Sequence, residues 1–203
     1  MSAMKVKQQK QIKAFLTEEF GADRGGSLFE RQERIFRLAA ENTKEKSKSR
    51  MKTLVQTILP RIALYKALSE SGIPKEESDA YMRKYMQDRV AAQKHLFMVR
   101  MESVPWFYFI YSRAFLAVTR RADLWESTQS CGKDCFDVTM KKCLWHTACL
   151  ENGCAELCRM FCDVDDVTYG GLKKLGFERT TTLGYGGECC DFHFFRKRHG
   201  GRD

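Results

Sequence analysis

The sequence has few features of a membrane or secreted protein. It contains only three prolines, and its longest apolar stretch, residues 104–118, is interrupted by Arg113. That stretch falls short of the roughly 20 apolar residues that a membrane-spanning helix needs. The first residues also lack the apolar run of a signal peptide. We therefore expect an ordered cytoplasmic protein without a membrane span.

Several common functional motifs are also absent. There is no Walker loop, no GxGxxG, no HExxH and no pair of CxxC motifs. Without these motifs, the sequence gives no sign of a phosphate-binding loop, a dinucleotide-binding fold or a zinc protease. The net charge of +9 lies in residues 1–130, because basic and acidic residues balance in residues 131–203. The basic runs lack interleaved aromatic residues, so they predict solvated helix faces and no nucleic-acid partner.

Cysteine, in contrast, is abundant. The nine cysteines cannot all pair, and without an export signal we expect reduced thiols that act as core residues, metal ligands or a nucleophile. Cys154, Cys158 and Cys162 recur every four residues and therefore share one helix face. That spacing is typical of core packing.

The apolar pattern predicts an α+β fold. From Val6 to about Trp125 the apolar spacing is helical, with a break at residues 21–26 and a kink at Pro60. Residues 1–130 are predicted to form a helical half, and residues 131–203 a cysteine-rich α+β half of one integrated domain. We expect an N-terminal helical bundle followed by a small antiparallel sheet with helices on one face.

One predicted helix, residues 105–121, is apolar nearly all round. This pattern favours a central helix that is covered on several sides. The alternative is a surface that lies on a membrane or on a second subunit, so a homo-oligomer stays open.

The C-terminal half shows the alternation of apolar and polar residues that is typical of β-strands. Phe136, Val138 and Met140 predict a half-buried strand that ends at Cys143. A helical stretch follows at residues 147–175, with a break at residues 152–153. Residues 177–183 and 188–196 then predict a hairpin with a tight glycine turn.

The register of this hairpin follows if Tyr185 and Gly186 form a two-residue loop. Arg179 then lies opposite Phe192, and Cys190 shares their core-facing side of the sheet. A buried arginine needs a partner, because an isolated buried charge costs several kcal/mol. Two alternatives remain open: an ion pair with Asp165 or Asp166, or a bidentate grip on a substrate carboxylate.

Three stretches carry a resemblance to a known family. Cys143 after a strand, FCDVDD at residues 161–166 and FERTTTLGYGGECCDF at residues 177–192 resemble the L-2-amino-thiazoline-4-carboxylate hydrolase family. Residues 59–81 are also similar to the helical half of that family. The resemblance covers about three quarters of the chain.

The resemblance implies a hydrolase that opens a cyclic 2-amino-thiazoline to an N-carbamoyl amino thiol. It implies proton transfer or orientation by Asp165 or Asp166. It also implies that Cys143, Cys162 and Cys190 form either a nucleophile with supporting thiols or a metal site.

The resemblance further implies a small-molecule substrate with a carboxylate. Its motifs assign substrate binding to Arg179, Thr180 and Asp191. The alternative function is a non-catalytic module that binds a small molecule or a metal.

For a metal, the candidate ligands are Cys143, His146, Cys162 and Cys190, and the candidate cofactor is a divalent ion such as zinc. The C-terminal sheet is also distantly similar to four-vinyl-reductase-type domains, which use cysteines for zinc. Thr182 stands where those domains have one of their cysteines.

Overall fold

The structure is a computed structural model that describes residues 7–45 and 47–197. The described residues form two compact units: residues 7–85 together with Ala148–Leu157, and Met86–Thr147 together with residues 158–197. The predicted division at residue 130 stays a prediction, and the predicted helix start at Val6 lies outside the described residues. Helices precede an antiparallel sheet with further helices, which confirms the α+β class.

The helices of the described residues are α1 (Lys7–Asn42), α2 (Lys48–Thr53), α3 (Leu59–Ser69), α4 (Lys75–Lys84), α5 (Ala92–Met101), α6 (Phe107–Arg121), α7 (Leu144–Glu151) and α8 (Leu157–Tyr169). Two wider π-helical segments, Leu54–Ile58 and Tyr85–Ala91, lead into α3 and α5. Pro60 lies in the first turn of α3 and has no N–H to donate. The predicted disturbance at Pro60 therefore takes the form of a π segment just before it.

Helix α1 is a hairpin of two helical arms. Gly21 lies between them with φ 78° and ψ 173°, a conformation that favours glycine. The amide side chains of Gln9 and Gln32 exchange two hydrogen bonds of 3.0 Å between the arms. The predicted break in the glycine-rich segment is confirmed, and it is a reversal at Gly21.

The second unit is built around a four-stranded sheet. Its strands are β1 (Trp125–Cys131), β2 (Cys135–Cys143), β3 (Leu175–Glu178) and β4 (Cys190–Arg196), in the order β1-β2-β4-β3 with every neighbouring pair antiparallel. Phe136 and Phe194 stack at 4.8 Å between ring centroids on one face, and Tyr111 and Phe115 of α6 pack against Phe194. Helices therefore cover this face, as predicted.

Strand β2 confirms the predicted alternation, since Phe136, Val138 and Met140 are buried. Strand β1 has no counterpart among the predicted elements. It is an edge strand whose side chains between Trp125 and Cys131 are polar, and none of them is fully buried. Without alternating apolar residues, its sequence carries no period-two signal.

The predicted β3–β4 register is confirmed, but the predicted extent of the hairpin is wrong. Phe177 lies opposite Phe194, as the predicted pairing requires. Strand β3 ends at Glu178 instead of continuing to residue 183, so Arg179 has no partner in the ladder. The two-residue turn is replaced by a longer connection, which contains a 3₁₀ turn at Leu183–Tyr185.

Helix α6 buries one face only, so the prediction of a helix covered on several sides is wrong. Phe107, Tyr108 and Leu116 are buried, whereas Ile110 and Val118 are 49% and 56% exposed. Within the described residues, no helix combines the length and apolar character needed to cross a membrane.

Two adjacent glycines in the second arm of α1 provide a test of the hairpin. A Cβ atom at Gly25 would lie 2.4 Å from the carbonyl oxygen of Leu16 in the first arm, whereas one at Gly26 would meet nothing within 4 Å. We expect Gly25→Ala to lower the free energy of unfolding by about 1–3 kcal/mol, because backbone must move. The matched control Gly26→Ala should raise it by up to about 1 kcal/mol through helix propensity. Urea unfolding measures both, and equal effects would contradict the close approach of the arms.

Candidate active site

Helix α8 carries the central residues of the site on one face. Cys158, Cys162, Asp165 and Tyr169 follow one another at intervals of four, three and four residues, so they lie along one stripe of the helix. Cys158 is buried and Cys162 is half-buried. The stripe therefore continues the core face and also brings a thiol and a carboxyl to it.

The sulfur of Cys162 accepts hydrogen bonds from three different elements. The thiols of Cys158 and Cys190 and the Thr182 hydroxyl all donate to it, and the Arg179 guanidinium adds its positive charge. These interactions outweigh burial and lower the pKa of the Cys162 thiol well below its ordinary value. Among the three predicted cysteines, Cys162 is therefore the one whose ionised form is favoured, whereas the pKa values of Cys143 and Cys190 are raised.

Cys190, in β4, has a pKa that shifts in the opposite direction to that of Cys162. Its hydrogen bond to Cys162, together with burial, raises the pKa of the Cys190 thiol far above its ordinary value. The sulfur also accepts a hydrogen bond of 3.4 Å from the backbone N–H of Leu183. Cys190 thus stays protonated and serves as a donor to Cys162.

The loop after β3 reaches Cys162 because one glycine permits a close approach. A Cβ atom at Gly184 would lie 2.8 Å from the sulfur of Cys162 and 3.0 Å from the carbonyl oxygen of Cys158. A larger residue would separate the loop from α8. Thr182 lies two residues earlier, and its buried side chain reaches the thiolate.

Asp191 explains why this loop leaves the sheet at Arg179. Its carboxylate accepts hydrogen bonds from the backbone N–H groups of Thr180 and Thr181, at 3.0 and 2.7 Å, and from the Thr180 hydroxyl at 2.5 Å. Although burial opposes ionisation, these bonds hold the pKa of Asp191 below its usual range. Thr180 and Asp191, both predicted to bind substrate, are thus bonded to each other and shape the loop.

An open cleft of about 290 Å³ lies beside the thiolate. Its lining residues are Asp163, Asp166, Arg179, Thr180, Thr181, Thr182 and Tyr185. Arg179 donates to the carbonyl oxygen of Cys162 at 3.0 Å and to the Asp166 carboxylate at 2.5 Å. Cys162 is not itself a lining residue, but the lining residue Arg179 bonds to its carbonyl oxygen.

The Arg179 side chain is 10% exposed, and Asp163 lies 3.9 Å from it as a second carboxylate. Of the two predicted partners, Asp166 makes the ion pair, and Asp165 acts on Arg179 only through its charge. In the other predicted role, Arg179 binds a substrate carboxylate. That role would require the substrate carboxylate to replace Asp166 as the partner of Arg179.

Asp165 faces the core side of α8. Burial raises the pKa of its carboxyl to about 6, even though the positive charges of Lys94 and Arg179 favour ionisation. Burial, together with the charge of Asp165, raises the pKa of Tyr169. A carboxyl with this pKa can give and take a proton near neutral pH.

Cys143 completes the cluster from the end of β2, directly before α7. The backbone N–H groups of Trp145 and His146 donate to its sulfur, but burial dominates and raises the pKa of the thiol. Cys143 interacts through its charge with Cys162 and Asp165. The three predicted cysteines and Asp165 therefore belong to one electrostatically connected group.

These thiols do not form an evident metal site. Among residues 7–45 and 47–197, no three His, Cys, Asp or Glu side chains are arranged to hold a metal ion. The interaction of His146 with Cys143 uses its backbone N–H. The predicted zinc site gains no support from this geometry and stays a prediction.

Sequence reasoning missed several contributors to the site: Cys158, Asp163, Thr182, Gly184 and Tyr185. Cys158 was visible only as a member of an apolar stripe, and Tyr185 only as a turn residue. Tyr185 in fact donates to Asp163 at 2.7 Å across the cleft. The DVDD run in α8 was the one sequence signal that pointed to the acidic side of the cleft.

The raised pKa of Asp165 predicts how the stability of the protein changes with pH. The folded state holds a proton on Asp165 up to about pH 6, whereas an ordinary aspartate loses it near 3.8. Stability should therefore fall as the pH rises through this window. Asp165→Asn should remove that fall and stabilise the protein at pH 7 by on the order of 1–2 kcal/mol.

Urea unfolding across pH 4–7 measures this effect, with the exposed Asp23→Asn in α1 as the control. The same slope in Asp165→Asn as in the natural sequence would contradict the assignment.

Comparison with models of protein families matches residues 50–194 to the L-2-amino-thiazoline-4-carboxylic acid hydrolase family. No curated protein and no solved structure matches the chain significantly. The matched range contains the whole thiol cluster and the cleft, and family membership supports a hydrolytic enzyme. The chain belongs to the L-2-amino-thiazoline-4-carboxylic acid hydrolase family.

Proposed function

We propose that this protein hydrolyses a cyclic 2-amino-thiazoline that carries a carboxylate, with Cys162 as the nucleophile. The observation that carries the proposal is the hydrogen-bonded Cys162 sulfur beside a cleft lined by carboxylates and an arginine. A thiolate is the reactive form of cysteine. Family membership supports the hydrolytic reaction class.

The reaction proceeds in two additions. The Cys162 thiolate adds to the ring carbon between nitrogen and sulfur, the ring carbon–sulfur bond breaks, and the ring sulfur leaves with one proton. The carbon, with both nitrogens, is then bound to Cys162 as an S-linked isothiourea. Water adds to this carbon and gives up a proton, and Cys162 leaves as a thiolate. The product is an N-carbamoyl amino thiol, and one water is consumed.

The neighbouring groups have distinct tasks in this scheme. Asp165 supplies the proton to the leaving ring sulfur and recovers one from water, which suits its pKa of about 6. Cys190 stays protonated and donates to Cys162 while that sulfur is negatively charged. Cys143 is a supporting thiol, because burial disfavours its ionised form. Asp166 pairs with Arg179 until the substrate carboxylate takes its place.

Substrate orientation depends on the charges of the cleft. A 2-amino-thiazoline carboxylate has a basic amidine and an acidic carboxylate, and the cleft offers Asp163 and Asp166 beside Arg179. Arg179 binds the substrate carboxylate in a fork, and Asp166 or Asp163 receives the protonated amidine. Thr180 and Asp191 set the position of the loop that closes this side.

The nucleophile can be tested by substitution. Cys162→Ala should reduce kcat for thiazoline hydrolysis on the order of 10³-fold or more, since the reaction loses its covalent path. The matched control is Cys154→Ala, which removes a buried thiol that is not part of the cluster. It should change stability and leave kcat within about threefold.

Turnover, melting temperature and metal content are measured together on the same preparations. Full turnover by Cys162→Ala would overturn the nucleophile. A natural protein that binds thiazolines without turnover, or that contains stoichiometric metal without turnover, would establish the alternative of a non-catalytic binding module.

Arg179→Lys tests the role of the arginine. Lysine keeps the charge but loses the planar fork, so the Michaelis constant should rise about 10-fold or more while the melting temperature stays unchanged. The expected control is Arg113→Lys on the exposed face of α6, with no change in either quantity. A lowered melting temperature with an unchanged Michaelis constant would make Arg179 a structural ion-pair residue instead.

A further inference from the structure

We infer that Cys162 and Cys190 are a site of reversible oxidation, at which a hydroperoxide converts the hydrogen-bonded thiol pair into a disulfide. Its effect on turnover rests on the proposed function, because Cys162 is the nucleophile there. Formation of the disulfide itself does not require that Cys162 be the nucleophile of the hydrolase.

The position of Cys162 makes it the first sulfur to react. It is half-buried, and it contacts Thr182 and Arg179, which line the cleft. A hydroperoxide is small enough to enter a cleft of about 290 Å³. Susceptibility of a thiol to peroxide follows its thiolate character and its access to solvent, and Cys162 combines both.

Cys190 is placed to react second. Cys190 hydrogen-bonds to the Cys162 sulfur, against which Gly184 of the neighbouring loop packs so closely that a Cβ atom there would lie 2.8 Å away. It belongs to β4, and the adjoining loop is joined to it by the bond from Leu183 N–H. Because Cys162 lies in α8 and Cys190 in β4, a bond between them does not have to form within a single helix.

Cys158 also contacts Cys162, but it is poorly placed for a disulfide. The two residues are four apart on one helix, where Cβ atoms lie about 5–6 Å from each other. A disulfide requires Cβ atoms at about 3.5–4.5 Å, so this bond would distort α8. Cys190 is therefore the favoured partner, and Cys158 stays reduced.

The chemistry balances with one hydroperoxide per disulfide. The Cys162 thiolate attacks the peroxide oxygen, the O–O bond breaks, and Cys162 becomes a sulfenic acid while hydroxide (or alkoxide) leaves. The sulfur of Cys190 then attacks the sulfur of Cys162. The S–O bond breaks, and the hydroxyl leaves as water with the proton of the Cys190 thiol. Two thiols are oxidised, and the peroxide is reduced.

The sequence offers a direct readout. Trypsin cleaves after Lys142, Arg159, Lys173, Arg179 and Arg196, so Cys158, Cys162 and Cys190 fall into three separate peptides. The full-length protein is treated with hydrogen peroxide, its free thiols are blocked, and the unreduced digest is analysed by mass spectrometry. We expect peptide 160–173 linked to peptide 180–196, with fragmentation assigning the bond to Cys190 and not Cys189.

Turnover is measured on the same samples. We expect a loss of about tenfold or more with peroxide and its recovery with a dithiol reductant. In Cys190→Ser the link should be absent, the sulfenic acid at Cys162 should be trapped by dimedone, and prolonged peroxide should cause a loss that the reductant does not reverse. Cys189→Ser, which removes the adjacent thiol, should still form the link.

The outcomes separate this inference from the proposed hydrolase. A link between peptides 160–173 and 180–196 in a protein without turnover supports the oxidation site and counts against the hydrolase. An unmodified Cys162, a link from Cys162 to peptide 143–159, or over-oxidation of Cys162 without any link in the natural sequence would overturn the oxidation site. None of these readouts depends on thiazoline turnover.

Discussion

The hydrogen bonds to the Cys162 sulfur are the interaction on which the site depends. They come from Cys158 in the same helix, from Cys190 in β4 and from Thr182 in the loop after β3. A half-buried thiolate is costly unless donors compensate for lost water. The helix, the strand and the loop must therefore meet at one sulfur, and that requirement places Arg179 and the cleft beside it.

The loop that supplies Thr182 is held by a carboxylate outside the thiol cluster. Asp191 captures two backbone N–H groups at Thr180 and Thr181, which ends the β3 ladder and turns the chain toward α8. Gly184 then permits contact with that helix. The same arrangement accounts for two kinds of chemistry, since a thiolate beside a cleft is both a nucleophile and a target for oxidation.

Much of the fold followed from local patterns, whereas the site depended on tertiary contacts. Alternation predicted β2, and the pairing of Phe177 with Phe194 was predicted from the spacing around the glycine turn. The end of β3 at Glu178 was not predicted, because the period-two alternation in the sequence continues past this residue. The hydrogen bonds of the Asp191 side chain to the following backbone override that pattern. Strand β1 was missed because an exposed edge strand of Ser, Thr and Gln has no apolar period. The three cysteines were identified from the family resemblance, but their separate roles arise from burial and donors that no spacing shows.

The central claim, that Cys162 attacks the thiazoline ring, is tested most directly by trapping the covalent intermediate. The protein is mixed with substrate and quenched with acid within one turnover, and the tryptic peptides are analysed by mass spectrometry. Because ring opening releases no atom from the substrate, peptide 160–173 should gain the whole mass of the thiazoline. A protein that turns over substrate with this peptide unmodified, or with the added mass on peptide 143–159 or 180–196, would contradict the account.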